Sequence, residues 1–89
     1  KMKYDYCDVS LAGLLGDAVA DNNAYARELE VTLSLRPVAK DIYMRADPMR
    51  LEQVVTNLLS NAAKFSEAGS TVVISATATT DRVRISVAD

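Results

Sequence analysis

The sequence predicts an α+β fold: a two-layer α/β sandwich with both helices on one face of a mostly antiparallel sheet, in the order β-α-β-β-α-β-β. Three observations predict it. Two long stretches, Leu11 to about Leu29 and Asp47 to Lys64, carry apolar residues at helical spacing. Five short stretches alternate apolar and polar residues, the period of a half-buried strand. No internal repeat, low-complexity tract or linker divides the 89 residues, so the chain is one small domain or part of one.

Lys1 to Val9 alternates, with Met2, Tyr4, Tyr6 and Asp8 in one phase and Lys3, Asp5, Cys7 and Val9 in the other. It reads as a strand, because aromatic residues favour strands. Tyr4 and Tyr6 read as packing residues and Cys7 as a small buried side chain. Ser10 is placed to cap the first helix, whose stripe runs through Leu11, Leu14, Leu15, Ala18, Val19, Asn22, Ala26 and Leu29. Gly13 and Gly16 each cost that helix about 1 kcal/mol relative to Ala and would admit another element closely. Asp17 and Asp21 read as a solvated face.

Glu30 to Arg36 alternates again, with Val31, Leu33 and Leu35 in phase, and Pro37 ends it. Asp41 to Arg45 is the next strand. The residues between, Pro37-Val38-Ala39-Lys40, are expected to join the two as a hairpin. Asp47 is a good N-cap and Pro48 suits the first helical position, where no amide hydrogen is needed. Leu51, Val55, Leu58, Leu59 and Ala62 then mark an apolar face. A polar connection, Ser66 to Ser70, leads to a strand over Thr71 to Ala78. Thr79-Thr80-Asp81 turns the chain into a last strand, Arg82 to Asp89, with Val83, Ile85 and Val87 inward.

Bulk properties exclude several functions. Hydrophobic residues make up 49% and charged residues 25%, ordinary for a globular protein. A net charge of −2 makes no electrostatic case for nucleic acid or an anionic membrane surface, so phosphate binding needs a local site. No apolar run approaches the roughly 20 residues that span a bilayer, and the first residues do not read as a signal peptide. A single cysteine rules out an intrachain disulfide and fits a reducing, cytoplasmic compartment. The absence of histidine rules out a His base, a His zinc ligand and a phosphohistidine within the chain.

The second helix carries the chemistry. At 3.6 residues per turn, Gln53, Asn57, Asn61 and Lys64 fall within an arc of about 80°. Asn is a mediocre helix former, so two of them four apart in mid-helix weaken the element without improving the core. One reading is a solvated polar face. The other is a ligand stripe beside the apolar face, with amide oxygens for a hard cation and Lys64 as a point charge for a phosphate.

Asn57-Leu58-Leu59-Ser60-Asn61-Ala62-Ala63-Lys64-Phe65, preceded by Asp47 and by Arg50-Leu51-Glu52-Gln53-Val54, resembles the N-box helix of sensor histidine kinases. The resemblance implies the two-layer fold those kinases share with gyrase, a family of heat-shock chaperones and the mismatch-repair ATPases. It implies ATP and Mg2+ as cofactors, with Asn61 on the magnesium ion, Asn57 beside the metal and phosphates, and Lys64 on the phosphate chain. Val87-Ala88-Asp89 is similar to the start of the family's first glycine box, which would make Asp89 the acceptor for the adenine amino group. Residues 1–89 are then expected to be the N-terminal part of a catalytic ATP-binding domain, without the glycine boxes and lid. The expected reaction of the intact protein is transfer of the ATP γ-phosphoryl group to a histidine on a separate dimerisation and phosphoacceptor segment. A response regulator is the implied partner, and an exposed sheet edge favours pairing with a second copy. Two alternatives stand beside this: a degenerate kinase-like interaction module, and a serine kinase of the same superfamily.

Overall fold

In the computed structural model, residues 6–79 and 82–88 are described. They form β1 (Cys7–Ser10), α1 (Leu11–Glu28), β2 (Thr32–Leu35), β3 (Tyr43–Ala46), α2 (Pro48–Phe65), β4 (Thr71–Ala78) and β5 (Val83–Ala88). The element order is the expected one. Met2 and Tyr4 lie outside the described residues.

Local chemistry starts and stops both helices. The Ser10 hydroxyl accepts from the Gly13 amide at 3.4 Å, filling one orphan donor of the first turn of α1. At the other end, the Val31 amide donates to Ala26 and the Glu30 amide to Arg27. This double pattern is a Schellman motif. It places Glu30 at φ 58°, a left-handed position usually taken by Gly. Glu30 therefore belongs to the helix terminus, not to the strand expected from Glu30 onward.

The strands pair in two sheets. β1 and β3 are antiparallel, with Cys7 opposite Ala46 and Ser10 opposite Tyr43. In the second sheet β4 is central, parallel to β2 and antiparallel to β5. The expected hairpin between β2 and β3 does not form. Arg36 instead donates its amide to Ile74 on β4, and the chain from Pro37 crosses to the other sheet. Pro37-Val38-Ala39-Lys40 lacks a residue suited to the positive φ of a tight hairpin. The partner strand with the better apolar phase is β4, whose Val72 and Ile74 face the core with Leu33.

One core joins the layers. Leu11 and Leu15 of α1, Val55 and Leu59 of α2, and Val72 and Ile74 of β4 are fully buried. Each such side chain contributes about 1.5–3 kcal/mol of transfer free energy. Ile42, Met44, Val83, Ile85 and Val87 pack around this cluster in the expected phases. Asn22, the polar member of the α1 stripe, is buried and donates to the Ala18 carbonyl at 2.8 Å.

Three expectations need correction. Cys7 is exposed, since only Val9, nearer α1, reaches the core. Tyr6 is exposed as well, on the rim of a notch with Arg50 and Val54. Among the described residues no packed element uses the space at Gly13 or Gly16: an added Cβ at Gly13 would meet only the capping Ser10, at 3.7 Å, and one at Gly16 nothing within 4 Å. Asp17 and Asp21 are exposed, as the solvated-face reading has it. Among the described residues no helix is long and apolar enough to cross a membrane.

Candidate functional site

Helix α2 is positioned at both ends. Asp47 Oδ1 accepts from the amides of Met49 (3.1 Å) and Arg50 (3.4 Å), with Pro48 next in the chain. At its far end the Ser66 hydroxyl donates to the Ala62 carbonyl at 2.6 Å. The turn that follows is tied to α1: the Gly69 amide donates to the Glu30 carbonyl at 2.7 Å, and Thr32 donates to Ser70.

The buried face of α2 runs through Val55, Leu59 and Ala63, each four residues from the next. It is rotated from the expected face. Ala63 was not foreseen, and Leu58 is 43% exposed. About Leu59 as centre, Asn57 and Asn61 point roughly 160° away and Lys64 roughly 140°. All three are exposed, as is Gln53. The amide stripe therefore lies opposite the core, not along its border. It borders a second apolar strip instead, made by Val54, Leu58 and Phe65, which the core leaves uncovered. A signal for that strip existed in the sequence. These residues stand at i, i+4 and i+11, more apolar positions than one buried face of a helix needs.

The Ser60 hydroxyl bonds the Asn57 backbone carbonyl at 3.2 Å, which leaves the Asn57 carboxamide out of that contact. Glu52 and Asn57 lie about 140° apart around the helix, yet both line a shallow, open depression with Gln53 and Thr56. Lys64 Nζ lies 5.5 Å from the centroid of the Phe65 ring. No group of three or more acidic or cysteine ligands occurs among the described residues.

Asp89 lies outside the described residues. Its neighbour Ala88 pairs with Val73, near the start of β4. Five residues, 66–70, separate that start from the end of α2. The last turn of α2 and the end of β5 thus share one end of the sandwich.

Residues 46–89 match the family described as histidine kinase-, DNA gyrase B-, and HSP90-like ATPase. The chain belongs to this ATPase family. Its relatives are histidine kinases. Sensor histidine kinase AruS of Pseudomonas aeruginosa is 41% identical over 88 residues, which span 92% of this chain and 9% of AruS. A histidine kinase structure from Burkholderia phymatum superposes with a TM-score of 0.86 at 27% identity, over 93% of this chain and 38% of that one. Full-length ShkA, solved in complex with AMPPNP, gives a TM-score of 0.78 at 31% identity over 97% of this chain and 19% of ShkA. The chain therefore spans less than a tenth of AruS and less than half of either structure.

Proposed function

We propose that this ATPase-family chain is the ATP-binding region of a sensor histidine kinase. The intact protein would transfer the γ-phosphoryl group of ATP to a histidine on a separate dimerisation and phosphoacceptor segment, from which a response regulator takes it. The observation that carries the reading is the presentation of Asn57, Asn61 and Lys64 together on one exposed face of α2. That face ends at the same end of the sandwich as β5, beside which the sequence places Asp89 for the base.

The donor set suits magnesium. Mg2+ keeps several waters and takes one or two protein oxygens along with substrate phosphates, instead of a cage of acids. Asn61 would hold it, and Asn57 lies one turn away; when bound, the ion neutralises phosphate charge. Lys64 meets the phosphate chain as a point charge. Phosphoryl transfer needs positioning and charge stabilisation more than covalent help, and exposed amides with one cation supply that. Asn57 has a further consequence. A carboxamide is not a usable general base, so attack by water is not promoted and a protein acceptor is favoured. The chain has no histidine, so the acceptor lies on another segment.

The test uses the kinase that carries this chain. Asn61→Ala should lower histidine phosphorylation by about 10²-fold or more, and Lys64→Ala should weaken binding of a fluorescent ATP analogue about tenfold. Unchanged phosphorylation in the first variant removes Asn61 from the site. Unchanged affinity in the second restores the solvated-face reading of Lys64.

A further inference from the structure

The face of the β2–β4–β5 sheet turned away from the helices carries charge of one sign. Leu33 of β2 and Val72 and Ile74 of β4 point into the core, so their neighbours along each strand point out. Those neighbours are mostly hydroxyls: Thr32 pairs with Thr71, Ser75 with Ser86, and Thr77 with Arg84. Arginines stand at both flanks. The Arg36 amide donates to the Ile74 carbonyl at 2.8 Å, which carries the phase of β2 one residue further. Across β4, Arg82 just before β5 and Arg84 within it are two residues apart, hence in one phase. They line one depression with Thr77 and Thr79. All three arginines are exposed. Among the described residues none of them forms an ion pair, and no acid shares the face. The whole chain has a net charge of −2, so the patch runs against the overall sign.

The chemistry selects the occupant. A guanidinium fork pairs a carboxylate through two parallel hydrogen bonds. Side chains two residues apart on a strand face stand about 7 Å from each other, close to the roughly 5–6 Å between positions i and i+4 on a helix. The main chain of β4 is bonded to a strand on each side, so a partner on this face meets side chains. RNA fits less well. The net charge repels a polyanion at long range, and the outward residues described include no aromatic ring on which a base could stack. We propose that this face docks an acidic helical segment of a protein, with carboxylates at i and i+4 received by Arg82 and Arg84, and with Arg36 extending the basic field across β4. The face lies across the sheet from α2, so the docked segment does not compete with the nucleotide proposed there.

Fluorescence anisotropy on the kinase that carries this chain tests it, with a labelled alanine-based helical peptide bearing Glu at i and i+4 as the probe. The peptide should bind saturably, and its version with Gln at both places should bind about fivefold or more weakly. Arg82→Gln and Arg84→Gln should each weaken binding of the Glu peptide about two- to fivefold, the scale of an exposed ion pair. Arg84→Lys should weaken it too, because the charge stays and the fork is lost. The Gln peptide compares two ligands on the unaltered protein, so the result does not depend on a variant folding. No binding of the Glu peptide at about 1 mM, equal affinity for both peptides, or arginine variants of unchanged affinity would each overturn the proposal. Equal or tighter binding of a labelled oligouridylate or of phosphatidylglycerol vesicles, lost in the same variants, would overturn it as well, by making the face a general polyanion surface.

Discussion

Glu30 holds a backbone position that disfavours its own side chain. The left-handed conformation costs an L-residue roughly 1–2 kcal/mol, yet two Schellman hydrogen bonds and the bond from Gly69 hold it there. Glu30→Gly should therefore stabilise the fold by about 1 kcal/mol and raise the melting temperature by about 4–8 °C in calorimetry, as expected for a domain of this size. An unchanged or lower melting point would mean that the backbone entropy added by glycine outweighs the relieved strain. The same residue shows where sequence reading stops. Asp47 and Ser10 announce their helix starts, because a capping side chain acts on amides two or three residues away. Glu30 announces nothing, because the stop of α1 is made by backbone bonds, and the strand pattern continues across it from Val31.

Helix α2 carries two apolar strips, and only one is part of the core. Leu59→Ala should cost about 2–5 kcal/mol, since it opens a cavity among fully buried neighbours. Leu58→Ala, one residue earlier, should cost less than about 1 kcal/mol. Urea titration of the two variants compares them directly, and equal losses would place Leu58 in the core after all. Helix existence, capping and the grouping of Asn57, Asn61 and Lys64 were legible, because they depend on residues close in sequence. The rotation of the helix was not, because five apolar positions fit two overlapping faces and only the partner layer selects one. Strand pairing failed for a related reason. Within Glu30 to Arg45 the poor turn chemistry of Pro37-Val38-Ala39-Lys40 speaks against the hairpin, but nothing there names β4, some forty residues on, as the partner of β2.

At the scale of the molecule, the candidate ligand groups lie on an open surface. Small-molecule sites bury most of their ligand between facing walls, and here Asn57, Asn61 and Lys64 form a single wall. The 89-residue chain alone should accordingly bind MgATP only weakly, with a dissociation constant of about 1 mM or above. Isothermal calorimetry reading micromolar affinity would show that one wall suffices. The wall itself is braced from behind. The 2.7 Å bond from Gly69 to Glu30 joins the exit of α2 to the exit of α1, so the two helix tails behave as a single clasp. A shift of the last turn of α2 would therefore be felt at the tail of α1 through that bond. Coupling between the two helices therefore has a main-chain route, from Gly69 to Glu30, beside the side-chain core that they share.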